Sequence, residues 1–274
     1  MTMEYKLLAA DMDGTALSDS KELGPRTVEA MERAIANGKT VVFSTGRSIS
    51  LIRPYIDMVS GMRYAVTSSG ASVMDLKTGE KLLYKTIEPE TVKYIIAQSS
   101  GRYVMPVMFM DDKSYGTRWC VDNCADFGLK AYEPIYRKCM NIVDDAFNYY
   151  MEDPKPIEKL NLFFANDYEA FEVLDALREL PVTFTCVTEH SLEINASGVS
   201  KAEGLKVLCA RLGISMSECI AAGDSENDEP MLACAGLKVA TANATKRVKI
   251  MADVIAPDCN NEPIAQIIDE YLLA

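Results

Sequence analysis

Four short polar segments of this 274-residue chain hold residues whose types and spacing suit chemistry on a phosphate group. Asp11 and Asp13 are two residues apart, so their side chains would share one face of an extended segment. Gly14 follows them and permits a sharp change of chain direction. Thr45 and Gly46 offer a hydroxyl and an unobstructed backbone N–H, which are donors suited to phosphate oxygens. The pattern predicts two carboxylates beside a phosphate-binding turn.

Two later segments add a positive charge and more carboxylates. Lys201 lies near the start of a predicted helix, where the helix N-terminus also favours anions. Asp224 and Asp11 would form the hard, oxygen-rich site that Mg²⁺ prefers. Asp228 would place a further carboxylate beside Asp224, which is costly without a cation. Asn227 could bind groups of the phosphate site or cap the helix that it opens.

Short apolar runs precede these segments and have the composition of buried parallel strands. The predicted strands are residues 6–10, 40–43, 64–67, 219–222, 237–240 and 254–256, and helices are predicted at 25–37, 199–212 and 227–234. Alternation of strands and helices predicts a Rossmann-like α/β core with a parallel sheet covered on both faces. Such sheets bind ligands at the carboxyl ends of their strands.

The pattern changes near residue 83, where strands follow one another more closely. Strands are predicted at residues 82–86, 104–110, 114–119, 159–165, 183–187 and 191–194, helices at 89–99 and 168–177, and a loop or short irregular helix at 144–156. These elements predict an inserted α+β cap with an antiparallel sheet. We expect residues 1–82 and 191–274 to form the core, and residues 83–190 to form a cap that closes over the site and selects the substrate.

Composition excludes several classes of partner. Lys and Arg total 28 against 40 Asp and Glu, and the net charge of −12 repels a nucleic-acid backbone. The apolar runs are far shorter than the roughly 20 residues of a membrane span, so we expect neither a span nor a signal peptide. Eight cysteines scattered through apolar patterns favour a reducing, cytoplasmic compartment. The oligomeric state stays open.

The four segments read Asp-x-Asp-Gly-Thr at residues 11–15, Ser-Thr-Gly-Arg at 44–47, Gly-Val-Ser-Lys at 198–201 and Gly-Asp-x-x-Asn-Asp at 223–228. In this order they resemble the motifs of the haloacid dehalogenase (HAD) superfamily, specifically its Cof-type phosphatases with a type IIB cap. The resemblance covers the whole chain and is weakest in the cap.

The resemblance implies a Mg²⁺-dependent phosphatase acting on a small phosphorylated metabolite, such as a sugar phosphate. Asp11 would be the nucleophile that becomes phosphorylated, and Asp13 would protonate the leaving oxygen and then activate water. It implies metal ligation by Asp11, the Asp13 carbonyl and Asp224, with Asp228 in or next to the metal shell, and phosphate binding by Thr45, Gly46, Lys201 and Asn227. Arg47 could contact substrate or brace the fold.

Some positions depart from the family pattern, and two other functions remain open. Ser69 stands where relatives commonly carry Asn, and Thr241 replaces the usual Met of a later segment. These departures affect substrate positioning rather than the core catalytic groups. The same scaffold could serve a sugar phosphomutase, which would return the phosphate to the sugar. It could also serve a non-catalytic, metabolite-binding regulator, although Asp13 would then have little purpose.

Overall fold

A computed structural model describes residues 4–185 and 190–274. The chain divides into two compact units. The first contains the described residues up to Arg47, together with Ile52–Tyr84 and Ser200–Ala274. The second contains Ser48–Leu51 and the described part of Lys85–Val199. Within the described ranges, no helix combines the length and apolar character needed to cross a membrane.

Strands and helices alternate along much of the first unit, and the second unit contains six strands and five α-helices among its described residues. The strands are β1 (Leu7–Ala10), β2 (Thr40–Ser44), β3 (Tyr64–Thr67), β4 (Ser72–Asp75), β5 (Glu80–Tyr84), β6 (Val104–Met110), β7 (Lys113–Thr117), β8 (Asn141–Val143), β9 (Lys159–Phe164), β10 (Val182–Thr185), β11 (Ser191–Ala196), β12 (Cys219–Gly223), β13 (Leu237–Thr241) and β14 (Val254–Ala256). The α-helices are α1 (Pro25–Ala36), α2 (Ile49–Ile56), α3 (Pro89–Ser99), α4 (Arg118–Asp122), α5 (Glu133–Cys139), α6 (Ala146–Glu152), α7 (Asp167–Leu177), α8 (Lys201–Leu212), α9 (Glu229–Cys234), α10 (Lys246–Met251) and α11 (Pro263–Ile267).

An eight-stranded sheet forms the centre of the first unit, in the order β14-β13-β12-β1-β2-β3-β4-β5. Strands β14 to β3 run parallel, and the β3–β4 and β4–β5 pairs are antiparallel. Every residue of β1 is fully buried, as its apolar composition predicts. Because β1 lies between β2 and β12, the loops that follow these three strands emerge side by side.

The second unit is built on a six-stranded sheet in the order β10-β11-β9-β6-β7-β8. Its pairs are antiparallel except for β7 with β8. One apolar cluster contains buried residues of α3, α6 and α7, and another contains residues of α4 and α5. This is an α+β arrangement, as the close succession of strands predicts.

The predicted fold class is confirmed, but several bounds differ. The predicted strand at 82–86 is instead β5, which joins the first unit because it pairs with β4. The second unit extends to Val199 because β11 pairs with β9 and β10. The segment 144–156 contains the regular helix α6, and helices α4 and α5 were not predicted. The predicted strand 183–187 begins as β10, and residues 186 and 187 lie outside the described part.

Candidate active site

Adjacent parallel strands bring two of the predicted carboxylates together. Asp11 directly follows β1, and its backbone N–H donates to the Ala222 carbonyl of β12 at 2.9 Å. Asp224 directly follows β12. Carboxylate oxygens of Asp11, Asp224 and Asp228 lie within 4.8 Å of one another. A backbone pairing between residues more than two hundred positions apart therefore assembles an acidic triad.

Lys201 joins this triad from the first turn of α8. Its Nζ donates to Asp11 Oδ1 and to Asp228 Oδ1, both at 2.6 Å, and the residue is only 1% exposed. Burial alone would lower the pKa of this ammonium, but the two carboxylates raise the pKa above its ordinary value. Ser200 caps the helix by accepting from the Glu203 N–H at 3.3 Å. The lysine is therefore held as a buried cation.

One ammonium does not balance three carboxylates. Burial and the neighbouring Asp228 raise the pKa of Asp11 well above its ordinary value, although Lys201 opposes the shift. Burial and Asp228 likewise raise the pKa of Asp224 to about 7. With all groups ionised, the cluster carries two more negative charges than positive ones. This donor set fits a divalent cation, which would supply the missing charge through hard oxygen ligands.

The loop after β12 is held closed by Asp228. Its Oδ2 accepts from the backbone N–H groups of Asp224 at 2.9 Å and Ser225 at 3.1 Å. A Cβ at Gly223 would lie 2.5 Å from Asp228 Cγ, so this tight closure requires glycine. Asn227 lies half-buried on the same loop, and its Oδ1 accepts from the Ser225 hydroxyl at 3.0 Å. Asp228 therefore positions Asp224 and Lys201 as well as adding charge.

Asp13 occupies a different electrostatic setting from Asp11. Arg47 donates from Nε to Asp13 Oδ2 and from Nη2 to Oδ1, both at 2.7 Å. Lys21 Nζ lies 2.9 Å from the same Oδ1. Burial would raise the pKa of Asp13, but the charges and hydrogen bonds of Arg47 and Lys21 together hold the pKa well below its ordinary value. Asp13 is therefore a carboxylate in this structure.

Gly14 allows the motif at residues 11–15 to lie close to the motif at residues 223–228. Its φ is +77°, and an added Cβ would lie 2.5 Å from Asp224 Oδ2. The hydroxyl of Thr15 donates to Asp224 Oδ1 at 3.1 Å. Thr241 and Asn243 both donate from their side chains to the Gly14 carbonyl, at 3.2 and 2.8 Å. These contacts hold the turn after Asp13 against the loop that carries Asp224.

The predicted phosphate-binding turn lies after β2. Thr45 is buried, and its Oγ1 accepts from the Arg47 N–H at 3.2 Å, while Gly46 is half-buried. The loop after β3 supports this turn, because the N–H groups of Ser68 and Ser69 donate to the Arg47 and Thr45 carbonyls at 2.8 and 2.9 Å. Both serines have a positive φ, at 51° and 60°. The turn is thus held by backbone contacts from the neighbouring strand.

Side-chain contacts join six of the predicted residues into two groups. One is Asp11, Lys201, Asp224 and Asp228, and the other is Asp13 with Arg47. Sequence reasoning assigned no role to Thr15, although it belongs to a quoted motif. It also missed Lys21 and Tyr55, because neither lies in a motif and only the folded chain brings Lys21 to Asp13 and Tyr55 to Lys21.

Comparison with known proteins decides the family. The family model described as haloacid dehalogenase-like hydrolase matches residues 8–268. The chain belongs to this family. An HMP-PP phosphatase of Klebsiella pneumoniae (strain 342) is 26% identical, with 97% of this chain and 96% of the relative covered. A 5-amino-6-(5-phospho-D-ribitylamino)uracil phosphatase of Bacillus subtilis (strain 168) is 27% identical, with coverage of 99% and 97%.

A solved structure supports the predicted fold. The HAD subclass IIB sugar phosphatase BT4131 has a TM-score of 0.79 at 22% identity, with 98% of this chain and 100% of that chain covered. The predicted membership among Cof-type HAD phosphatases is confirmed, and so is the prediction of a phosphoric monoester hydrolase.

Proposed function

We propose that this HAD phosphatase hydrolyses a small phosphorylated metabolite with Mg²⁺, through a phosphorylated Asp11. The observation that carries the proposal is the buried contact of Lys201 with Asp11 and Asp228 beside Asp224. It combines a nucleophile, a cation for phosphoryl oxygens and a carboxylate set suited to a metal. HAD phosphatases are generally metal-dependent, and Mg²⁺ is the ion that these oxygen ligands favour.

Two balanced steps account for hydrolysis. In the first, an Asp11 oxygen forms a bond to phosphorus, the ester P–O bond breaks, and the departing oxygen takes a proton from Asp13. In the second, water attacks phosphorus and gives a proton to Asp13, and the Asp11–phosphorus bond breaks. Inorganic phosphate and the free alcohol are released, and both aspartates return to their starting state.

The protonation of Asp13 must change between resting and reacting states. Arg47 and Lys21 keep it as a carboxylate in the structure, which is the form that accepts a proton from water in the second step. A bound phosphate adds negative charge nearby, which raises the pKa of a carboxyl group and favours its acid form in the first step. We therefore propose that substrate binding raises the pKa of Asp13, which then takes up a proton from solvent before the first step.

The remaining polar groups hold phosphate and metal. Asp11, the Asp13 carbonyl and Asp224 would ligate Mg²⁺, which would offset the charge of the phosphoryl oxygens. Asp228 would support them from its place between Lys201 and the loop. Thr45, Gly46, Lys201 and Asn227 would donate to phosphate oxygens. We propose that Arg47 braces Asp13, because its guanidinium already makes two hydrogen bonds with that carboxylate.

The relatives indicate the kind of substrate. One is named for HMP-PP and the other for a phosphorylated ribitylaminouracil, and both names denote small organic phosphates. We propose a substrate of the same general size, including sugar phosphates. We also propose that the second unit is the cap that chooses among such substrates, since the resemblance assigns specificity to that part of the chain.

Phosphate release from a panel of phosphorylated metabolites, measured with Mg²⁺ and with a chelator, tests this function. We expect Mg²⁺-dependent release that Asp11→Asn reduces to background. Asp57→Asn is the matched control, because Asp57 is exposed and pairs with Arg53 on the surface of α2. Undiminished phosphate release by Asp11→Asn would show that Asp11 is not the nucleophile. Isomerisation of sugar phosphates that requires a bisphosphate and releases no phosphate would show a mutase instead.

A further inference from the structure

Lys21 makes a direct ionic contact with the proposed acid–base residue. Its Nζ lies 2.9 Å from Asp13 Oδ1, and its side chain is only 16% exposed. Arg47 contacts both oxygens of the same carboxylate. Oδ1 thus contacts both Lys21 and Arg47, whereas Oδ2 contacts the Nε of Arg47. This asymmetry fixes the carboxylate plane and distinguishes its two oxygens.

The backbone conformation at Lys21 places its ammonium group beside Asp13. Lys21 has a φ of +62°, which costs an L-residue about 1 kcal/mol or more. Its N–H donates to the Ser18 carbonyl at 2.9 Å, and the Ser18 N–H donates to the Glu22 carbonyl at 3.1 Å. The resulting turn joins Leu17 and Leu23, which bridge each other. A strained residue that persists in a short turn points to a local requirement.

Tyr55 of α2 links the two cations. Its hydroxyl donates to the Lys21 carbonyl at 2.9 Å. Its ring lies 5.5 Å from the Arg47 guanidinium carbon, and Arg47 Nη1 donates to the Tyr55 oxygen at 3.4 Å. Tyr55 is 7% exposed. One buried aromatic side chain therefore contacts the strained turn and the arginine together.

We propose that Lys21 is a positioning residue that holds Asp13 Oδ1, so that Oδ2 exchanges the proton with the leaving oxygen and with water, and that Tyr55 holds Lys21 in place. This inference rests on the proposed function, in which Asp13 is the acid and base. In the first step the Asp13 proton passes to the departing oxygen as the ester P–O bond breaks. Lys21 takes no part in the proton transfer and acts through the geometry of Asp13.

Substrates that differ in their need for a proton test this role. Phenyl phosphate releases a phenol of pKa about 10, like tyrosine, and benefits from an acid. The p-nitrophenolate ion is far more stable and departs without a proton. For Lys21→Met we expect kcat to fall at least about tenfold more on phenyl phosphate than on p-nitrophenyl phosphate, with KM within about twofold, since general acid catalysis contributes about 10²–10⁴-fold.

Conservative variants and a control complete the test. Lys21→Arg should recover most of the kcat that Lys21→Met loses on phenyl phosphate, and Tyr55→Phe should show the same difference between the substrates in weaker form, about threefold. Lys206→Met serves as the control, because Lys206 is a half-exposed lysine of α8 that pairs with Glu203. Thermal unfolding of each variant reports whether the fold survives. Equal losses on both substrates for Lys21→Met, or no recovery in Lys21→Arg, would overturn the positioning role.

The variant Asp13→Asn distinguishes a failure of the Lys21 role from a failure of the proposed acid role of Asp13. If Asp13→Asn discriminates strongly between the two substrates and Lys21→Met does not, the role of Lys21 is wrong and the acid role of Asp13 stands. If Asp13→Asn does not discriminate, the acid role fails and the inference about Lys21 fails with it.

Discussion

Each unit buries a lysine, and the two lysines have different charge environments. Lys201 in the first unit contacts two carboxylates at 2.6 Å and lies in a cluster with a third. Lys159 in the second unit contacts Glu193 at 2.6 Å across neighbouring strands, with the Phe109 ring 5.7 Å away. The charges of Lys159 and Glu193 cancel each other. The carboxylates around Lys201 exceed its single positive charge, so that cluster favours binding of a further cation. This difference separates a structural pair from a chemical site.

Substitution of Lys201 gives the largest expected effect. Lys201→Met should lower kcat by at least about 10²–10³-fold, because it removes a buried cation from the phosphoryl oxygens. Lys159→Met, assayed in parallel below its unfolding temperature, should lose far less activity per folded molecule. Initial rates at saturating Mg²⁺ check both variants. Equal losses of activity would remove the distinction between the two lysines.

The converse effect is expected on stability. Lys159→Met should lower the free energy of unfolding by about 3–5 kcal/mol, because it leaves Glu193 buried without its cation. The double variant Lys159→Met/Glu193→Leu should recover much of this loss. Urea unfolding measures the difference, and Lys206→Met, at a surface pair worth about 0–1 kcal/mol, is the control. A loss in Lys159→Met no greater than in the control would show that the buried pair adds little.

The excess charge in the first unit also predicts a dependence on pH. Asp11 and Asp224 have raised pKa values, the latter about 7, so the folded protein binds more protons than the unfolded chain between about pH 4 and 7. The contribution of these groups to stability therefore falls as pH rises through this window. Mg²⁺ should offset this loss, since it binds the ionised carboxylates.

Thermal unfolding with a chelator and with excess Mg²⁺ at pH 5.5 and 7.5 checks this expectation. Mg²⁺ at one hundred times its dissociation constant should stabilise the protein by about 2.7 kcal/mol. The increase in unfolding temperature should be larger at pH 7.5 than at pH 5.5. An increase that is independent of pH would indicate that the metal does not bind at the acidic cluster.

The smallest effect is expected at a turn of the second unit. Asp111 and Asp112 join β6 to β7 with positive φ values of 53° and 64°. The left-handed conformation costs an L-residue about 1–2 kcal/mol, and glycine adds about 0.4–1 kcal/mol of unfolded-state entropy, so Asp112→Gly should stabilise the protein by about 0.5–1 kcal/mol. The activity should be unchanged. Urea unfolding of this variant, compared with wild type, would contradict the prediction if it showed a loss of stability.

The sequence predicted the core strands because each is a short apolar run that ends at a polar turn, and β3 matches its predicted bounds. It predicted less of the second unit. Helices α4 and α5 have five and seven residues, too short to show clear periodicity. The assignment of β5 and β11 depends on their hydrogen-bonded neighbours, which local patterns do not reveal.

The candidate site shows the same limit. Motif spacing was enough to name Asp11, Asp13, Lys201 and Asp224 as members of one site. It could not indicate that Arg47 would bond Asp13, since that contact joins loops from different strands. Lys21 was beyond sequence reasoning for the same physical reason.

Detection of the phosphorylated enzyme tests the central claim most directly. We would mix Asp13→Asn with p-nitrophenyl phosphate and Mg²⁺, quench with acid, and examine its peptides by mass spectrometry. This substrate needs no proton in the first step, so the variant slows mainly the second step. The account predicts a phosphoryl group on Asp11, found in the peptide that contains this residue. It predicts no phosphoryl group in Asp11→Asn. Continued turnover with no phosphoryl group on Asp11, or with the label on another residue, would contradict the account.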